Sequence, residues 1–284
     1  MKSVQDSDLV LTLQSSVAYG HVGNATAAFA MQRLGRDVIR IDTVRFSNHP
    51  KHGGYSGGPA AAADIDALVD GLAARGLLGQ VAAVISGYLG TAENAAAVAR
   101  AVQAVRAARP DALYCLDPVI GDWPAGRYVD AAIPPAIVSD LLPLADIVTP
   151  NAFELAWLSG RTVDSLESAA AAARTLAAPG RLVVATGVRL GDSLASLALT
   201  AKAGWRVTAP VVDAPAFGAG DLFSALFLAR YLEQGAPDAA LALAASAVHA
   251  VFEATRRLGR PELALIAAQA ALAAPPRLFA AERI

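Results

Sequence analysis

The sequence predicts an α/β fold in which a mostly parallel central sheet is flanked by helices on both faces. Three observations carry this. Short apolar runs of strand length alternate with alanine-rich stretches of helical length along most of the chain. Most of those runs end in turns bearing Gly, Ser, Asp or Pro. Hydrophobic residues make up 55% and charged residues 17% of the 284, which suits a sheet covered on both sides and excludes a disordered chain.

No repeat or low-complexity linker interrupts the pattern, so one domain is expected over 1–284. A net charge of −2 with no basic run speaks against nucleic acid as a partner. No stretch of about 18 apolar residues free of charge and turn residues is present, so no membrane span is expected. The polar, acidic start of the chain is unlike a signal peptide, and the lone Cys115 cannot form an internal disulfide. A cytoplasmic protein is the expectation.

Residues 9–14 read as a buried parallel strand, followed by a glycine-bearing loop over 15–24 and a helix to about 34, stopped by Gly35. Ligands of open α/β sheets bind beyond the carboxyl ends of strands, where Ser15 falls; an ordinary polar turn residue explains it too. Residues 38–43 read as a second strand. The long segment after it, about 44–58, is glycine-rich at its end and reads as a mobile flap. His49 and His52 lie three apart with no third ligand near, and read as solvated loop histidines rather than a metal site.

The alternation continues with a helix over 64–74, a strand over 81–86, the turn Gly87-Tyr88-Leu89-Gly90, a helix over 92–108 and a strand over 112–116. The turn Asp117-Pro118-Val119-Ile120-Gly121-Asp122 sets two carboxylates at a strand end. They suit either turn chemistry or a hard cation near phosphate. Residues 145–148 lead into Thr149-Pro150-Asn151-Ala152-Phe153-Glu154. Asn151 and Glu154 make a capping box, and are equally compatible with a carboxylate near a cation. A strand over 181–185 ends at Thr186-Gly187. An antiparallel pair, 193–200 and 205–211, turns around Lys202-Ala203-Gly204. Helices over 221–231, 236–254 and 261–273 close the chain, their large apolar residues assigned to the core.

The stretch Phe217-Gly218-Ala219-Gly220-Asp221-Leu222-Phe223 precedes an apolar helix. Its glycines let bare N–H groups approach a ligand at the positive end of that helix, which makes an anion hole. Asp221 beside such a site repels phosphate unless it has a proton to take. A plain helix start with a dipole-stabilised Asp accounts for the same residues.

The order of these pieces is specific. Asp-Pro-Val-Ile-Gly-Asp, then Thr-Pro-Asn-x-x-Glu, then Gly-Ala-Gly-Asp before an apolar helix resembles the ribokinase superfamily. Gln14-Ser15, Tyr19-Gly20-His21-Val22-Gly23-Asn24, Thr43-Val44-Arg45-Phe46-Ser47-Asn48-His49 and Ser86-Gly87-Tyr88-Leu89-Gly90 narrow the likeness to the pyridoxal kinase family, from about 9 to at least 228. The resemblance implies a single ribokinase-like domain with a substrate flap. It also implies ATP-dependent phosphorylation of the 5′-hydroxyl of pyridoxal and related B6 vitamers, with Mg²⁺, often a monovalent cation such as K⁺, and commonly a homodimer.

Carried over residue by residue, the resemblance makes Asp221 the base and Gly218, Ala219 and Gly220 the anion hole. Ser15, Val22, Ser47, Pro50, Tyr88 and Asp221 would contact substrate. Asp117, Thr149, Glu154, Thr186, Gly218 and Gly220 would serve the nucleotide, and Asp122 with Glu154 would organise Mg²⁺, with Asp117 in support. Four positions depart from the family pattern. Pro50 stands where a Thr is common, Ser16 replaces a usual His, Arg45 a usual Gln, and Ala219 a usual Thr or Val. The departures fall mainly on the substrate side. A kinase of another hydroxymethyl compound, such as hydroxymethylpyrimidine, and a non-catalytic B6-binding protein are the alternatives. Intact Asp221, Asp122 and Glu154 argue against the second.

Overall fold

Leu9-Val10-Leu11-Thr12-Leu13 lacks the alternation of a half-exposed strand, the pattern expected of one covered on both faces. A computed structural model describes residues 9–284, and there this segment opens β1 (Leu9–Tyr19), with Val10, Leu11 and Leu13 fully buried. The polar stretch 1–8 read above lies outside the described residues. The further strands of the main sheet and its satellite hairpin are β2 (Val38–Asn48), β3 (Gly57–Pro59), β4 (Val81–Ser86), β5 (Leu113–Leu116), β6 (Gly121–Asp122) and β7 (Gly126–Arg127). They continue with β8 (Ile147–Val148), β9 (Leu182–Leu190), β10 (Ser193–Leu199), β11 (Gly204–Pro210) and β12 (Glu282–Arg283).

The main sheet has ten strands in the order β12-β11-β10-β9-β8-β5-β4-β1-β2-β3, and β6 pairs with β7 alone. The strands from β2 through β1, β4, β5 and β8 to β9 run parallel. The margins, β2–β3 at one end and β9 to β12 at the other, are antiparallel.

The helices are α1 (Asn24–Arg33), α2 (Ala62–Ala74), α3 (Glu93–Ala108), α4 (Ile133–Ala136), α5 (Ala152–Ser159), α6 (Leu166–Leu176), α7 (Ala219–Gln234), α8 (Pro237–Leu258) and α9 (Gln269–Ala273). Alternate residues of each central strand point to opposite faces. Val10, Ile85 and Ile147 therefore join α1, α7 and α8 in one core, while Leu11, Leu13, Val84 and Val148 pack on α2 and α3 in the other. Cys115 is buried in the first core. A third cluster seats α6 against β9 and β10. Among the described residues no helix is long and apolar enough to cross a membrane.

Four expectations need correction. β1 does not stop at Gln14 but runs to Tyr19, and β2 runs to Asn48, because Ser15 pairs with Val44 and Val17 with Phe46 beyond the end of β4. A register irregularity between Gln14 and Ser15 marks the point where the pairing runs on past β4. Hydroxyls do not prevent ladder pairing, so Ser15-Ser16 is strand rather than loop. Likewise β9 continues past Thr186 to Leu190, held by antiparallel pairing with β10. The expected helix over 261–273 shrinks to α9, preceded by turns.

Candidate active site

The carboxyl ends of the parallel strands open into a cleft of about 1000 Å³. Every site residue expected from the sequence lines it except Ser47. Ser47 is exposed and instead ties the flap: its Oγ donates to Asn48 Oδ1 at 2.7 Å and accepts from Ser56 N at 2.9 Å.

The floor is the head of α7. Gly218 caps this helix with φ 80°, and a Cβ there would lie 1.9 Å from His21 O, so only glycine fits. Ala219 N–H donates to Ala216 O at 3.0 Å and is already engaged, which removes it from the anion hole expected of 218–220. The N–H groups of Gly218, Gly220 and Asp221 have no backbone partner among the described residues. Asp221 lies in the first turn of α7, and its Oδ2 accepts from Gly23 N at 2.8 Å. Burial pushes the Asp221 carboxyl above its ordinary range, and the Gly23 N–H opposes this.

Three further carboxylates flank it. Asp117 follows β5, held by its N–H to Ser86 O at 2.9 Å. Its Oδ2 accepts from Ser224 Oγ at 3.0 Å, and Ser224 Oγ meets Thr149 Oγ1 at 2.8 Å. Thr149 is thus buried with its hydroxyl turned to Ser224. Ser224 was missed in the sequence; its signal is its place one turn after Asp221 on the same helical face. Glu154 closes the capping box, taking Asn151 N at 2.9 Å on Oε2, and accepts from Ile120 N at 3.0 Å on Oε1. Asp122 lies on β6. Thr186 lines the cleft from β9, where it bridges to Asn151.

Burial pushes the Glu154 carboxyl up to about 8, against the backbone donors at Asn151, Ile120 and Gly121, and the charge of Asp122 adds to the rise. Burial, then Glu154 and Asp221, hold the Asp117 carboxyl well above its ordinary range, with the Ser224 hydrogen bond opposing. Lys51 is the one lysine or arginine lining the cleft. Crowded carboxylates in a cleft lined by so little positive charge fit a divalent metal. Among the described residues no group of three or more His, Cys, Asp or Glu is placed to hold a metal alone. That donor set suits Mg²⁺, which takes one or two carboxylates together with substrate phosphates.

Also lining the cleft, Ser15 and Val22 are nearly buried in the wall and Tyr88 is half-buried. The flap forms the roof. Phe46 packs on Tyr55 at 4.4 Å, Asn48 Nδ2 donates to Gly54 O at 2.8 Å, and Pro50 lines the cleft. The two histidines are docked rather than solvated. His49 stacks on Phe217 at 4.6 Å and His52 Nε2 meets Glu262 Oε1, because the flap lies against the loop before α7. Leu194, Val207, Val248 and Phe252 add an apolar slot to the lining, from β10, β11 and α8. The slot was illegible in the sequence, since such residues do not differ from core positions.

A sequence profile described as phosphomethylpyrimidine kinase matches residues 67–264. Pyridoxal kinase PdxY of Deinococcus radiodurans is 44% identical, covering 97% of this chain and 96% of that protein. The chain belongs to the pyridoxal kinase family. Its relative of the same name from Rubrobacter xylanophilus is 43% identical, with 97% of both chains covered. The solved pyridoxal kinase of Leishmania donovani in complex with ADP and pyridoxine is 28% identical, with a TM-score of 0.91 over 98% of this chain and all of that one (100%). The ribokinase-like α/β fold expected from the sequence is the fold of this kinase family.

Proposed function

We propose that the chain transfers the γ-phosphoryl group of ATP to the 5′-hydroxyl of pyridoxal and related B6 vitamers. The carrying observation is the position of Asp221. Its carboxylate, steadied by Gly23 N–H, stands in the first turn of α7 inside the cleft that Tyr88, Ser15 and the flap wall off.

The vitamer ring lies between Ser15, Val22 and Tyr88 under Pro50, which presents its hydroxymethyl group to Asp221. Asp221 accepts the hydroxyl proton as the oxygen attacks phosphorus, and burial raises its proton affinity toward that task. The N–H groups of Gly218, Gly220 and Asp221 and the dipole of α7 receive the charge spread over the phosphoryl oxygens. Thr186 faces the phosphates and the apolar slot takes the purine. Ser224 and Thr149 hold Asp117 from behind. Asp122 and Glu154, with Asp117 in support, would hold Mg²⁺, whose chemistry is to neutralise the phosphate charge. The flap keeps water from the transferred group. By family likeness we read the protein as a cytoplasmic homodimer.

A second reading, a hydroxymethylpyrimidine kinase, is favoured by the description of the matching profile and by Pro50 in place of a hydroxyl. ADP release with pyridoxal, pyridoxine, pyridoxamine and hydroxymethylpyrimidine, at varied Mg²⁺, separates the two. Turnover with the pyrimidine and none with B6 vitamers overturns the first. Glu154→Gln keeps the capping box and should raise the Mg²⁺ concentration needed.

A further inference from the structure

Glu262 stands outside the cleft, in the turns between α8 and α9, and none of the roles above uses it. It is buried, with 7% of its surface exposed. Its Oε2 accepts from His21 N–H at 3.0 Å, and its Oε1 meets His52 Nε2. A buried carboxylate is costly unless it is paired, and here the donors come from two separate segments.

Both segments shape the cleft. The loop over 20–23 sets Gly23 N–H on Asp221 Oδ2 and lays His21 O against Gly218. The flap turn Pro50–His52 sets Pro50 and Lys51 along the cleft, with Lys51 Nζ 5.1 Å above the Phe217 ring. Tyr19 meets the edge of His52 at 6.4 Å, so the end of β1 abuts the same contact.

We propose that Glu262 is a positioning residue that fastens the substrate flap, through His52, and the loop steadying the base, through His21, to one carboxylate. The two walls then close as a unit on the acceptor. Its kinetic consequence rests on the reading of the cleft as a B6 kinase site; the fastening itself does not.

The test is hydrogen exchange by mass spectrometry on the full chain, wild type, His52→Ala and Glu262→Gln, over flap residues 47–56 and loop residues 20–23. It is joined by steady-state kinetics on pyridoxal. His52→Ala should speed exchange in the flap about tenfold or more and leave the loop alone. Glu262→Gln should speed both. KM for pyridoxal should rise about tenfold in each, the factor carried by one charge-assisted hydrogen bond, with kcat of His52→Ala within about twofold. The double variant should raise KM no further than Glu262→Gln, since the pair acts as one contact. Wild-type flap exchange in His52→Ala overturns the proposal. So does unchanged loop exchange in Glu262→Gln. His52 sits in the flap turn at the surface, so its variant decides the flap half even if Glu262→Gln fails to fold. If exchange responds as expected while pyridoxal is not phosphorylated, the fastening stands and the substrate reading fails.

Discussion

Gly23 N–H donates to Asp221 Oδ2 at 2.8 Å, joining residues 198 apart in the chain. The glycine that follows β1 and the carboxylate that opens α7 therefore act as one unit. The loop over 20–23 cannot shift without disturbing the base.

Asp221→Asn separates the base from the geometry. Asn still offers an oxygen to Gly23 N–H, so the fold and ADP binding should stay near wild type. Turnover should fall by about 10²–10⁴-fold, the usual worth of a positioned base. Calorimetric titration with ADP and initial rates at saturating substrates check both halves. Near-wild-type turnover would remove Asp221 from the chemistry.

Gly23→Ala attacks the same unit from the other side. Gly23 has φ 52°, and a Cβ would come within 2.0 Å of Ser15 O. The backbone of β1 or of the loop must give way, at a cost of about 2 kcal/mol or more by urea denaturation. Activity should fall further than stability explains, because the displaced N–H no longer steadies Asp221. A fully stable variant would contradict the packing described.

Glu154 predicts a pH dependence of stability in metal-free buffer. Burial raises its folded pKa to about 8 from an ordinary 4.5, so the folded state holds a proton that the unfolded chain has released in between. Its contribution is full below about pH 4.5 and is lost as pH rises through about 8. With EDTA present, Tm should fall between pH 5 and 8, and Glu154→Gln should flatten that slope. Equal slopes in the two proteins would show that Glu154 is not protonated in the fold.

Pro50 bears on which alcohol is accepted. It lines the cleft but carries no hydroxyl and no N–H, and its ring fixes φ near −65°. Pro50→Thr restores one hydrogen bond, worth roughly 0.5–1.5 kcal/mol net. KM for pyridoxal should drop by up to about tenfold with little change in kcat, as for binding that is equal in ground and transition states. Kinetics on pyridoxal, pyridoxine and hydroxymethylpyrimidine check it. A gain confined to the pyrimidine would move the preferred substrate away from B6.

Much of this site is readable from local pattern. The loop Gly218 to Asp221, the turn from Asp117 to Asp122 and the Asn151–Glu154 cap each announce themselves within six residues. Ser47 misled because its place in the flap motif says nothing of which way its hydroxyl turns. In the fold it closes the hairpin on Ser56. Ala219 misled for a similar reason: a glycine-rich loop advertises free N–H groups, and the turn to Ala216 O consumes one.

By itself the sequence determined the α/β class, the alternation of the central strands and helices, the family, and the residue types at the head of α7. Those depend on periodicity and short-range turn chemistry, which act over a few residues. Only the tertiary structure decided that β1 and β2 run on past β4 as a paired ribbon, that Ser224 backs Asp117, and that Glu262 gathers His21 and His52. Each of these relationships joins residues far apart in the chain. A ladder partner, a hydroxyl donor or the counterpart of a buried charge is chosen by packing, and nothing in the local sequence carries that choice.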